Sequence, residues 1–192
     1  MNVVRRASGM LFDPWREWAA IESEPGDAAY LLSNYVAVLA IVPALFSFVG
    51  VSLVGTVGPG GALTRAPVFD GLFGAVFGYV LTCASVLLLG IVIDLLAPLF
   101  GGLRSFDAAF KLAVYSFTPV WLAGVFLVLP GLRFLVLTGF YGGYVLWLGA
   151  PLVIKVPARQ ALNFSAIIVI IAFGLAYLTA VAQRILFATP GL

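Results

Sequence analysis

The sequence predicts an all-α fold, a polytopic transmembrane helix bundle of five spans preceded by a short amphipathic interfacial helix. Three observations carry this. Hydrophobic residues make up 63% of the chain and charged residues 9%, with a mean hydropathy of +1.15. Soluble domains run near ~45–50% apolar and ~25% charged, and a bilayer is the solvent that tolerates apolar surface outside a protein as well as within it. Five stretches reach the ~20 mainly apolar residues that a membrane crossing needs. Turn-rich connectors separate them, and together they use up a 192-residue chain without room for a separate soluble domain.

Residues 1–33 form the segment before the first span. Asp13 suits a helix N-cap and Pro14 the first helical position. On the helix that follows, Trp15, Trp18, Ala19 and Ile21 share one side, and Arg16, Glu17, Ser23 and Glu24 lie opposite, with Glu22 an exception on the apolar side. Two tryptophans at helical spacing beside a membrane favour the headgroup layer, so Trp15 and Trp18 are expected to anchor this helix along the cytoplasmic surface. Partner docking is the sharper alternative. The polar face is not basic, which favours the anchor.

The membrane domain is residues 34–186, with spans at about 34–55, 71–97, 108–129, 132–154 and 163–186, and a tail at 187–192. Gly58-Pro59-Gly60-Gly61 opens the first loop, 98–105 forms the second, and Pro130-Gly131 is so tight that spans three and four are expected to pair as an antiparallel hairpin. Lys155 to Gln160, with Pro157, forms the fourth connector. Pro43 and Pro119 lie inside the first and third spans, where each removes a helical donor, freeing the Leu39 and Tyr115 carbonyls and kinking the helix. Gly74-x-x-x-Gly78 and Gly139-x-x-x-Gly143 permit close helix contact, expected within the monomer. Tyr141 and Tyr144 fit either a polar interior or an interface.

Basic residues set the direction. With the N-terminus cytoplasmic, Arg5, Arg6, Arg16, Arg104, Lys111, Lys155 and Arg159 lie inside and Arg65, Arg133 and Arg184 outside, seven against three. This predicts a multi-pass protein of the bacterial inner membrane with the C-terminus on the opposite side. No cleavable signal is visible, so the first span is expected to act as an uncleaved anchor.

Candidate chemistry is sparse. Asp94 is the acidic residue inside an apolar run, and an intramembrane carboxylate is by default a candidate for a proton or cation pathway. It lies about three residues, roughly 4.5 Å of helix, from the cytoplasmic end of its span. Arg104 and Lys111 are expected on the same side, which favours an interfacial ion pair. Tyr115, Ser116 and Thr118 surround the Pro119 break, where hydroxyls help satisfy freed backbone. Broken helices build substrate sites at mid-membrane, and packing kinks are the commoner outcome.

The chain has no histidine and a single cysteine, Cys83, inside an apolar run. His-based triads, His-ligated zinc or haem and cysteine clusters are excluded, as is an intrachain disulfide. One intramembrane Asp excludes an aspartyl dyad, and no phosphate-binding Gly-Lys-Ser/Thr loop occurs. A net charge of +2 without a Lys/Arg block argues against nucleic acid. The residues therefore point away from an enzyme and away from a bound cofactor or metal.

The run Leu11-Phe12-Asp13-Pro14-Trp15-x-x-Trp18-x-x-Ile21-x-x-Glu24 followed by five spans resembles the Yip domain family, the Rab/Ypt-interacting membrane proteins, in its bacterial branch. So do Ala109-Phe110-Lys111-Leu112-x-x-Tyr115-Ser116-x-x-Pro119, the Pro130 turn, and Tyr141-x-x-Tyr144-x-Leu146-x-x-Gly149-x-Pro151, over roughly residues 10–186. The resemblance implies a five-span protein with a cytoplasmic N-terminus. Eukaryotic members bind Rab-type GTPases through a long cytoplasmic region, which is short here and lacks their Asp/Tyr/Gly-type motif, so GTPase binding is not carried over and no site residue transfers. Two functions remain open. One is a non-enzymatic membrane interaction or organising protein whose partners are the bilayer and another membrane protein or a second copy. The other is a small transporter or channel using Asp94 and the Pro-kinked spans.

Overall fold

The computed structural model describes residues 2–57 and 61–186. The Gly58–Gly60 part of the first loop and the 187–192 tail lie outside the described residues. Among the described residues five helices are long and apolar enough to cross a membrane: Ala28–Val54, Val68–Phe100, Phe106–Val128, Gly131–Val153 and Ala158–Leu186. They are called spans 1 to 5 below. These are helix extents, and several run beyond the apolar stretch read from sequence. Span 1 starts at Ala28 because Asp27 caps it, its Oδ1 accepting from the Tyr30 N–H at 2.9 Å.

Two helices precede the spans. Helix α1 covers Val3–Phe12 and α2 covers Pro14–Ser23. Asn2 caps α1 by accepting from the Arg5 N–H. Asp13 ends α1 and starts α2: its N–H closes on the Gly9 carbonyl at 2.8 Å and its Oδ1 accepts from the Arg16 N–H at 3.3 Å. One aspartate thus turns the chain into a helical hairpin. This α1–α2 hairpin replaces the single surface helix expected from the sequence.

Span 3 is the hub. Inside its most apolar window 61% of residues are buried, against 28% or less in the other four. The helix breaks at Phe117, two residues before Pro119, and ends in a 3₁₀ stretch over Gly124–Val128. Span 1 has π-helical turns at Leu32–Val36 and Val49–Val54 and a break at Ala40, three residues before Pro43. A Cβ on Gly124 would sit 2.6 Å from the Pro43 Cβ, so the middle of span 1 meets the start of the 3₁₀ end of span 3 because that position carries no side chain.

Spans 3 and 4 pack as an antiparallel pair about the Pro130-Gly131 turn. Span 4 begins as an unusually long 3₁₀ segment, Pro130–Phe140, before becoming α-helical over Tyr141–Val153. A Cβ on Gly139 would meet Val120 at 3.3 Å and one on Gly143 would meet Val169 at 3.1 Å, so this pair of glycines packs within the monomer, while Gly74 faces open space. Tyr141, Tyr144 and Trp147 form an aromatic ladder with centroids 5.4 and 6.0 Å apart, and Tyr144 and Trp147 are exposed on the outside of the bundle. Among the described residues the helical architecture carries one small addition. Thr56–Val57 pairs antiparallel with Leu63–Thr64 in a two-residue ribbon that closes the first loop.

Candidate functional site

The stripe Pro14, Trp18, Ile21 faces inward from α2, and Ala7 and Met10 face inward from α1. The hairpin therefore packs on the bundle by its apolar side. Trp18 is fully buried, its indole Nε1–H donating to the Val145 carbonyl of span 4 at 2.9 Å. Gly149 lies directly beneath: a Cβ there would be 2.5 Å from Trp18 Cε2. Tyr115 meets the indole edge-on at 6.1 Å.

This corrects the anchor reading of Trp18. Periodicity identified its face as apolar, but span 4, with a glycine at the contact, covers that face in place of the headgroup layer. Trp15 lies at the rim, 62% exposed, next to Phe12 at 86%. Glu22, the exception on the helical wheel, turns outward to an ion pair with Lys155.

A second layer of contacts is ionic. The Arg6 guanidinium pairs with Glu17 at 2.7 Å and with Glu24, and lies 5.7 Å over the Tyr115 ring. Burial pulls the Arg6 pKa down, but the hydrogen bond and charge of Glu24, helped by Glu17, outweigh it and hold the pKa above its ordinary value. Lys111, 6% exposed, donates to the Ile21 carbonyl at 3.1 Å and to the Glu24 carbonyl. A buried cation thereby caps the C-terminus of α2, where the helix dipole and unsatisfied carbonyls favour it. Asp107 receives the Ala28 N–H at 3.3 Å. The hairpin is thus tied to spans 3 and 4 and to the loop after span 4, and span 3 in turn holds the start of span 1.

Between hairpin and bundle lies a cavity of about 590 Å³ whose wall includes Arg5, Arg6, Glu17, Glu24, Lys111 and Tyr115. It carries both signs of charge beside a tyrosine ring and suits an ionic or zwitterionic group. Of the residues singled out from sequence, Tyr115 belongs to this cavity. Ser116 lines a separate cavity deeper in the bundle. Thr118 is fully buried, its Oγ1 hydrogen-bonded to the Tyr35 hydroxyl at 2.8 Å.

Asp94 lines neither cavity. It stands two residues before the α-helix of span 2 ends at Leu96 and pairs with Arg104, Oδ2 to Nε 3.5 Å. The candidate polar residues Asp94, Tyr115, Ser116 and Thr118 are therefore not gathered into one site. Lys111, expected near Asp94, is committed to α2. Sequence reasoning missed Arg6 and the whole of α1. The signal was present in the cap-forming Asn2 and in the spacing of Val3, Ala7 and Met10.

A model of the Yip1 domain matches residues 8–180, most of the chain. The chain belongs to the Yip1 domain family. It is 29% identical over 162 residues to the inner membrane protein YohC of Escherichia coli strain K12, covering 82% of this chain and 83% of that protein. The YohC of Escherichia coli O6:H1 strain CFT073 matches to the same extent. No solved structure matches. The match begins at residue 8, so it includes the end of α1 and all of α2, and this Yip1-family chain is a multi-pass membrane protein in which the hairpin and the spans form one packed unit.

Proposed function

We propose that this Yip1-family chain is a non-enzymatic interaction or organising protein of the bacterial inner membrane, oriented with the N-terminal hairpin in the cytoplasm. The observation that carries this reading is the docked hairpin. Trp18, Arg6 and Lys111 fix it rigidly to spans 3 and 4, while Phe12 and Trp15 stand exposed at its corner. An exposed aromatic pair on a fixed support has the character of an interface anchor for a protein or for the bilayer surface. The position of Asp94 supports this function over conduction, because the carboxylate pairs with Arg104 at a helix end.

Orientation rests on the seven-to-three excess of basic residues and on the gathering of Arg6, Lys111 and Lys155 around the hairpin. A phosphatase fusion after residue 186 is expected to be active and a fluorescent-protein fusion there dark. Photocrosslinkers at Phe12 and Trp15 in native membranes, followed by mass spectrometry, test the interaction. A reproducible, stoichiometric protein adduct from these two positions, absent from a crosslinker at lipid-facing Ile170, is the expected result. Recovery of the protein alone or with lipid from all three positions would refute it.

A further inference from the structure

A second cavity, of about 230 Å³, lies deeper in the bundle and shares no wall residue with the charged one. Every span contributes to it near its middle: Pro43, Ser85, Phe117, Gly142 and Ala172 each lie within two residues of their span's midpoint. The backbone is irregular around it. Span 1 breaks before Pro43, span 3 breaks at Phe117, and span 4 changes from 3₁₀ to α after Phe140. Non-helical backbone at this depth is tolerated where it is buried in protein or lines a cavity, and such breaks are where membrane proteins form mid-bilayer binding sites.

Among the described residues the wall holds no charged side chain, but it includes two buried polar side chains without a hydrogen-bond partner. Trp121 is 1% exposed with Nε1 unpaired, and Ser116 is 3% exposed with Oγ unpaired. The bilayer centre offers no water to satisfy them. An indole N–H is a donor and never an acceptor, so its missing partner is an acceptor oxygen. A charged acceptor is disfavoured at this depth with no cation in the wall, and phospholipid ester carbonyls lie in the interfacial layer away from the midplane. Phe140 and Phe173 belong to the wall, stand 4.7 Å apart between ring centroids, and are exposed on the outer surface of the bundle, so on this side two side chains alone separate the cavity wall from lipid.

We propose that this cavity binds a neutral, bilayer-dissolved molecule carrying a carbonyl on an apolar frame, the class that includes quinones, with Trp121 and Ser116 as its hydrogen-bond donors. The site goes beyond the interaction role above, since it uses no residue of the hairpin. The test uses the full chain in nanodiscs of defined phospholipid and two radiolabelled probes of similar shape: decylbenzoquinone, and decylbenzene, which lacks carbonyls. Saturable binding of the quinone at about one per chain is expected, with decylbenzene about tenfold weaker or worse. Trp121→Phe, which keeps the ring and removes the N–H, is expected to weaken the quinone about five- to tenfold and to leave decylbenzene unchanged, as one lost hydrogen bond implies. Ser116→Ala is expected to act in the same direction, and Ala176→Phe, which fills the cavity, to abolish binding of both. Size-exclusion profiles and helical content equal to the parent establish that each variant is folded. Equal affinity for the two probes with no effect of Trp121→Phe would make the cavity a groove for acyl chains, and absence of saturable binding in the folded parent would remove the site. Either result overturns the proposal.

Discussion

Replacing Trp18 by alanine tests whether the N-terminal hairpin is part of the packed bundle. The indole is fully buried and donates to the Val145 carbonyl, over a glycine that has no side chain with which to fill the space. Truncating a buried aromatic of this size costs about 3–5 kcal/mol, hydrogen bond included. Most of that falls on docking of the hairpin, because the spans keep their own contacts. With tenfold per ~1.4 kcal/mol, the undocked fraction rises about a thousandfold for a loss of ~4 kcal/mol. The readout is maleimide labelling of Ala7→Cys in a Cys83→Ala background, since Ala7 is 5% exposed and reacts when the hairpin opens. Trp18→Ala is expected to speed labelling about a thousandfold, and Trp18→Phe about tenfold. Trp15→Ala, at a residue 62% exposed, is expected to change it by about twofold or less. Labelling unchanged by Trp18→Ala, together with quenching of Trp18 fluorescence by brominated lipid to the extent seen for Trp15, would return Trp18 to the membrane surface and refute the docked hairpin.

Three further predictions use the same labelling assay or thermal unfolding. Gly149→Leu places a side chain where a Cβ alone would lie 2.5 Å from the Trp18 ring, so it is expected to undock the hairpin about as strongly as Trp18→Ala while the spans remain inserted. Lys111→Met removes the cation that caps α2, taking from the Glu24 carbonyl its side-chain donor and leaving the Ile21 carbonyl with the Glu24 N–H alone; a loss of about 1–3 kcal/mol is expected, read as a roughly ten- to hundredfold rise in labelling. Arg104→Ala is expected to shift unfolding by about 1 kcal/mol or less, because its contact with Asp94 is long, single and made by a side chain 67% exposed.

The spans were legible because a membrane crossing is written as bulk composition, which survives ignorance of packing. The breaks near Pro43 and Pro119 were legible for a similar reason: a missing N–H is a local property. What covers a face is not local. Trp15 and Trp18 look alike on a helical wheel, and the difference between them lies in Gly149, 131 positions beyond Trp18 in the chain. The role of Lys111 was hidden in the same way, since its partners are backbone carbonyls that carry no sequence signature. Helix α1 has no long apolar run to mark it, since Arg5 and Arg6 interrupt the segment, yet Arg6 is the residue that turns inward to join Glu17, Glu24 and Tyr115. In a chain with so few charges, each ionisable residue carried more positional information than the sequence alone could assign.

The placement of those charges has a consequence for how the two cavities can be used. At the hairpin end, Arg6 already holds two carboxylates and Lys111 already holds two carbonyls. An ionic group that took over the partners of Arg6 or Lys111 would act against hairpin docking by linkage, to the extent of its affinity. The mid-bundle cavity has the opposite character. Its wall is uncharged, and its orphaned donors lose nothing when an acceptor arrives. Tyr115 and Ser116, adjacent in span 3, line one cavity each. A ligand at mid-membrane therefore bears on the same helical turn that receives the Arg6 and Trp18 contacts, the last turn before the break at Phe117. Coupling between the two sites is then measurable as a change in Ala7→Cys labelling on addition of the quinone probe, and a labelling rate indifferent to a saturating probe would show the two cavities to be independent.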